Sequence, residues 1–241
     1  MKNIVRALIL CLMVFSASTT FAADQIGIYL QPKLVYGLTQ IEGVKGYLDV
    51  DSSLGSGSTS GKVIGSKTDD AFGGSLALGY DFSKQFNVPL RAELEYSAFS
   101  DVESRRKTQV FEVDAKVKTK IGIQTLFINA YWDIDTGTSW QPYLTGGLGM
   151  AFIDTKGTLE LDGFKDSSSK TKTNFAWNLG LGIGYDINPS WTVDLGYRFV
   201  GLGTGDTGAI HYQEPGLRAS AYAKTEELYQ HRFALGVRFT F

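Results

Sequence analysis

The chain has 241 residues, 43% of them hydrophobic, with 28 Gly and 5 Pro beside 15 Phe, 12 Tyr and 4 Trp. That size suits one or two domains, and glycine and aromatics in excess over proline fit many strands joined by turns. With 23 basic against 25 acidic residues and one cysteine, the chain lacks the positive charge that nucleic acid demands and cannot form an internal disulfide.

The first segment, MKNIVRALILCLMVFSASTTFAADQ, carries Lys2 and Arg6 ahead of an apolar run and then small residues. It reads as a secretory signal peptide over residues 1–22, cut between Ala22 and Ala23, with Cys11 inside the apolar region. The run is about half the ~20 residues a membrane-spanning helix needs. Cleavage would leave 21 basic residues against 25 acidic ones, no cysteine, and one mature unit over 23–241.

Eight strands are expected from there on, at 26–36, 71–82, 89–99, 119–134, 140–154, 174–187, 191–200 and 228–241. The second, fourth and sixth gaps are short and turn-like: SKQFNV, DTGTS and NPS. The other gaps are long and polar, with GSGSTSG, ESRRK and KDSSSKTK in the first three and residues 201–227 forming the last. Antiparallel neighbours would put every short turn on one rim and every long loop on the other. The pattern predicts an all-β fold: an eight-stranded, antiparallel, up-and-down transmembrane β-barrel with short periplasmic turns and long extracellular loops.

A soluble lipocalin-like barrel would alternate too, so the two faces have to decide. In the sixth strand Phe175, Trp177, Leu179, Leu181, Ile183 and Tyr185 share one face, and Ala176, Asn178, Gly180, Gly182, Gly184 and Asp186 share the other. The bulky set would not fit inside eight strands, whose interior just holds side chains. The polar faces collect Lys33, Arg91, Glu93, Glu95, Asn178, Asp194, Arg198, Arg232 and Arg238. Each Arg or Lys turned to lipid near the midplane would cost about 2–4 kcal/mol, so this set is expected inside.

Aromatics gather toward strand ends: Tyr80, Phe82, Trp132, Trp140, Tyr185, Trp191, Phe239 and Phe241 at the short-turn rim, and Tyr36, Tyr96, Phe152, Phe175, Trp177, Phe199 and Phe233 at the other. Two belts at headgroup level are expected of a membrane barrel. The fourth strand breaks phase, with Ile121 and Ile123 odd but Leu126, Ile128, Ala130 and Trp132 even, which predicts a bulge or a kink near Thr125. Upstream, Phe111 to Lys118 keep alternating, so this strand is expected to run beyond the membrane. Shorter alternations at 47–50 and 158–161 suggest a protruding sheet.

NAYWDIDTGTSWQPYLTGGLGMAF (129–152), NLGLGIGYDINPSWTVDLGYRFVGLG (178–203) and the terminal FALGVRFTF resemble the small opacity-type outer-membrane proteins of Gram-negative bacteria. That group takes in surface antigens and relatives of the eight-stranded adhesion and invasion barrels. The resemblance implies location in the outer membrane, contact with its lipid, and a last strand, here Phe233, Leu235, Val237, Phe239 and Phe241, read by the barrel assembly machinery.

Chemistry elsewhere is thin. GTGDTG (203–208) satisfies a dinucleotide fingerprint, but AIHYQEPGL after it cannot be the helix that motif requires. DIDTG opens like a calcium loop, yet its twelfth position is Leu144 where Glu is needed. A hydrolytic site would have to use His211 or His231, with Ser220 or Glu214 near in sequence. The expectation is a non-enzymatic monomer without cofactor, metal or nucleic acid, acting through its extracellular loops on a host-surface or matrix ligand or as an envelope component. A small pore and, behind it, an outer-membrane lipid-modifying or proteolytic enzyme are the alternatives.

Overall fold

The computed structural model describes residues 26–52, 55–64, 67–110, 113–161, 164–206, 210–214, 217–225 and 227–241. The segment expected to be a signal peptide, with Ala22 and Ala23, and Phe111 upstream of β7 lie outside these residues. In chain order the strands are β1 Ile28–Ile41, β2 Val44–Ser52, β3 Gly55–Ile64, β4 Lys67–Asp81, β5 Leu90–Phe99, β6 Val102–Val110 and β7 Val113–Asp133. They continue with β8 Trp140–Leu161, β9 Phe164–Asn188, β10 Trp191–Gly203, β11 Ile210–Glu214, β12 Leu217–Thr225 and β13 Leu228–Thr240. One helical turn, α1 (Ser83–Phe86), follows β4 where a plain turn is expected from the sequence.

Eight of these strands close a barrel in the order β5-β4-β1-β13-β10-β9-β8-β7, sealed by β5 on β7. All its pairings are antiparallel. The last strand does not fray, because it lies between β1 and β10, with Tyr29 opposite Thr240 and Trp191 opposite Phe239. Its end is tied by Phe241 N donating to Ile28 O at 2.9 Å and Ile26 N donating to Phe241 O at 3.0 Å.

The inner rim is made of side-chain-closed turns. Asp81 Oδ1 accepts from Ser83 N and Oγ, Asp135 Oδ1 accepts from Gly137 N, and Asn188 Oδ1 accepts from Ser190 N and Trp191 N. These are the local carboxyl and amide turns that Asp and Asn favour over continued strand.

Alternation then sorts the walls. Phe175, Leu179, Leu181 and Tyr185 are exposed on the outside of β9, while Ala176, Asn178 and Gly184 are buried within. Exposed Leu34, Phe72, Leu78, Leu94, Ile128, Leu148, Leu195 and Leu235 extend this apolar band round the barrel, which is the surface hydrocarbon would cover.

The fourth barrel strand, β7, corrects the sequence reading. Its register on β8 runs without a shift from Lys116 opposite Glu160 to Asp133 opposite Tyr143, and on β5 Thr125 sits opposite Ser97 in an unbroken ladder. There is no bulge at Thr125. Ile123 points inward and is buried with Phe127, Ala151, Ile153, Ala176, Val200, Leu202 and Leu228. The apolar pattern changes phase because the lumen itself turns from polar to apolar near the outer rim. Irregularities fall instead between Gly201 and Gly203 and between Trp191 and Thr192.

Beyond the outer rim the cylinder opens into two walls. β11-β12-β2-β3 form a separate four-stranded sheet, carrying upward the β10-β13-β1-β4 side. Opposite it, β6 pairs along the outer part of β7, which continues through β8 and β9. The first and last long gaps, expected to be mainly loop, are thus mostly strand.

Candidate functional site

Two regions could carry function, the lumen and the sheets above it. The lumen is packed from the inner rim upward in polar tiers. Lowest, Arg238 Nη2 reaches Thr192 Oγ1 at 3.3 Å and Gln141 Oε1 at 3.5 Å, while Gln141 and Thr192 donate to Asp186 at 2.7 and 2.6 Å. Next, Arg91 grips Asp133 with two bonds of 2.6 and 2.7 Å and lies 4.4 Å from the Tyr131 ring centre. Tyr143 donates to Asp194 at 2.7 Å.

In the middle tier Lys33 Nζ bridges Glu93 at 2.7 Å and Glu95 at 2.5 Å. Arg198 adds bonds of 2.9 and 3.0 Å to Glu95. Tyr131 donates to Glu93 at 2.8 Å and is itself bonded by Arg198, and Asn178 donates to Asn129 at 2.9 Å. Above, Arg232 donates to Gln230 and Thr125 and lies 4.6 Å from the Phe99 ring centre, directly beneath the apolar layer.

The structure thus places Lys33, Arg91, Glu93, Glu95, Asn178, Asp194, Arg198, Arg232 and Arg238 all on the inside, but in separate tiers; only Lys33, Glu93, Glu95 and Arg198 share one cluster of ion pairs. Sequence reasoning placed Asp186 on the inner face but missed the partners Asp133, Gln141, Thr125 and Gln230, and three inward tyrosines, Tyr29, Tyr131 and Tyr143. The signal lay in the facing glycines. A Cβ on Gly182 would sit 2.2 Å from the Tyr143 hydroxyl oxygen, and one on Gly79 would sit 2.1 Å from Tyr29 Cζ.

Electrostatically the lumen is a cross-linked plug. Buried charges at this depth are favoured when paired and hydrogen-bonded, as Lys33, Glu93, Glu95 and Arg198 are in one cluster and Arg91 is with Asp133. Arg232 and Arg238 are instead held by neutral side chains, and each leaves one guanidinium nitrogen without a hydrogen bond. Above the plug Ile123, Phe127 and their buried apolar neighbours form a layer near the outer rim.

On the terminal strand Phe233, Leu235, Val237 and Phe241 are exposed on the lipid side. Phe239 is only 8% exposed because the rings of Trp191 and Phe241 cover it, at centroid distances of 4.8 and 4.9 Å. His231 also faces outward, sharing a 2.8 Å hydrogen bond with the Tyr197 hydroxyl and lying 5.2 Å from Phe199. His211 belongs to the other sheet, where its backbone pairs opposite Ser220, and Glu214 pairs opposite Leu217. The two histidines therefore sit on different sheets. Among the described residues no group of His, Cys, Asp and Glu has metal-binding geometry.

The outer sheets are large for mere connections. β7, β8 and β9 have 21, 22 and 25 residues, where a spanning strand needs about 9–11. In the four-stranded sheet Tyr47 stacks on Tyr222 at 4.8 Å and 8°, with Lys224 Nζ 5.6 and 5.3 Å from the two ring centres. Where β9 and β10 part company, Asn174 Nδ2 donates to the carbonyls of Leu202 and Thr204, Lys172 bonds Thr204, and Lys170 bonds Asp206 at 2.8 Å. Asp206 pairs in turn with Lys224, joining the two walls through the 203–206 segment.

The family model for the outer membrane protein beta-barrel domain matches residues 7–241. Outer membrane protein PagN of Salmonella typhimurium is 26% identical over 247 residues, covering 100% of each chain. A putative adhesin of Rickettsia prowazekii is 24% identical over 176 residues, 72% of this chain and 76% of that one. Among solved structures, Neisserial surface protein A has 19% identity and a TM-score of 0.45, with 89% of this chain and 97% of that chain covered.

Proposed function

Because the chain belongs to the outer membrane protein β-barrel domain family, and so resides in the outer membrane in contact with its lipid, we propose that it is a non-enzymatic surface protein whose two extracellular sheets bind partners on host cells or matrix. The observation that carries this reading is the division of the molecule into a filled barrel and a built exterior. The lumen is closed by ion pairs and an apolar cap, while five strands and the outer ends of three more stand clear of the membrane. The names of PagN and of the rickettsial adhesin support a surface role.

The pore reading loses support from the filled lumen, since eight strands leave only side-chain space and here that space holds paired charges. A hydrolase would need a nucleophile and a base in reach of each other, and His231 spends its Nδ1 on Tyr197 within the aromatic belt. The terminal strand is assigned a second role as the signal read during barrel assembly, with Phe241 as its last side chain.

Expression in a non-adherent Gram-negative host tests the proposal. Bacteria carrying the protein should bind cultured animal cells several-fold better than bacteria carrying an empty vector; equal binding, with the folded protein present in the outer membrane, refutes it.

A further inference from the structure

Toward and above the outer rim, five strand edges are paired on one side only among the described residues: β3 over Ser56 to Gly61, β6, β11 and the outer parts of β4 and β9. Natural sheets protect such edges with charge, proline, short length or a cover. Four of these edges are protected. β6 carries Glu103, Arg105, Arg106 and Lys107; the outer part of β4 carries Lys67, Asp69 and Asp70; β11 is five residues long and followed by Pro215; β9 is covered by the 202–206 segment through Lys170, Lys172 and Asn174.

β3 carries Lys62 toward one end, but its stretch from Ser56 to Gly61 has none of these devices. From Ser56 to Gly61 it contains only Ser, Gly and Thr, every one exposed, and it pairs with β2 alone. A Cβ built on Gly57 or Gly61 would meet nothing within 4 Å. Its backing is firm, because β2 is pinned to β12 along nine paired positions and by the Tyr47–Tyr222 stack.

We propose that the free edge of β3 accepts an extended segment of an extracellular polypeptide as an added antiparallel strand. The proposal rests on the adhesion reading above and names its mode of capture. A strand is the occupant because the unpaired groups are main-chain N–H and C=O in strand spacing, and side chains no larger than threonine leave both faces of the slot clear for any sequence. Recognition through backbone bonds would be tolerant of sequence, and ordering a glycine-rich edge would keep it modest in affinity.

The test uses the full-length barrel in detergent micelles and a peptide of sequence VKGYLDVDS, the segment that β3 already pairs with on its other side. Saturating peptide should slow amide exchange across residues 56–61 by roughly tenfold, and the same peptide with alternate amides N-methylated should not. Successive N–H groups on a strand point to opposite edges. Of Ser58→Pro and Thr59→Pro, one therefore removes only a free-edge donor, and it should abolish peptide binding with exchange in β2 unchanged. Unaltered exchange in β3, or equal slowing by the N-methylated peptide, overturns the proposal, as does cross-linking of Ser58→Cys between two copies of the barrel in place of peptide capture. Host-cell binding separates the two claims. If the proline variants bind cells like the parent and the peptide leaves β3 unprotected, the edge is wrong and adhesion stands; if the peptide protects β3 but the parent binds no cells, adhesion is wrong and the edge stands.

Discussion

Tyr143 fits inside the barrel because glycine faces it. A Cβ on Gly182 would lie 2.2 Å from its hydroxyl oxygen and 2.6 Å from the Leu195 carbonyl oxygen, and the second of these is backbone that cannot swing away. Gly182→Ala should therefore destabilise the folded barrel by about 1–3 kcal/mol, the usual cost of overpacking. Gly74→Ala, whose new methyl would find Lys33 O no nearer than 3.8 Å, should leave the midpoint of urea unfolding in micelles within experimental error. Charge behaves likewise. Glu95→Gln strips the carboxylate that Lys33 and Arg198 share at 2.5 and 2.9 Å and should cost about 3–5 kcal/mol, because it leaves buried cations short of a partner. Lys170→Met breaks the bond to Asp206 at an exposed site and should cost less than about 1 kcal/mol in the same assay.

At the scale of elements, the last strand is held by its backbone and displayed by its side chains. Phe241→Ala keeps both terminal bonds to Ile28 and Ile26, so refolding of the purified chain into micelles should be preserved. The amount of folded protein recovered in the outer membrane should fall several-fold if the terminal ring is what the assembly machinery reads; unchanged recovery in pulse-labelled cells would contradict that role. Strand identity was legible in the sequence because lipid and a polar lumen impose opposite demands on alternate residues, as in β9 and β13. The phase change in β7 reads from the sequence as a bulge because a period-2 pattern reports only which side is apolar, and that side is the lumen at Ile123, beside exposed Gln124, and the outer face from Leu126 onward. Tyr29 and Tyr143 were hidden for a related reason: each is accommodated by glycine on a neighbouring strand, and that pairing depends on register. The extracellular hairpins β2–β3 and β11–β12 were harder still, since serine, glycine and alanine carry little strand signal without their partners.

For the whole molecule, anchor and instrument are separate parts. The tiered ion pairs and the Ile123–Phe127 layer close the lumen, so planar-bilayer recordings should show no stable, large single-channel steps; their reproducible appearance would reopen the pore reading. Above the membrane the same eight-stranded cylinder divides into two walls, and it is these that meet other surfaces. The most direct test prunes residues 43–66, 101–119 and 204–227 to short turns and compares the pruned barrel with the parent on the bacterial surface. The pruned chain should still reach the outer membrane and still shift in gel mobility on boiling, as a folded barrel does, yet lose host-cell binding to the level of the empty vector. A pruned barrel that is folded, surface-displayed and as adherent as the parent would contradict the account.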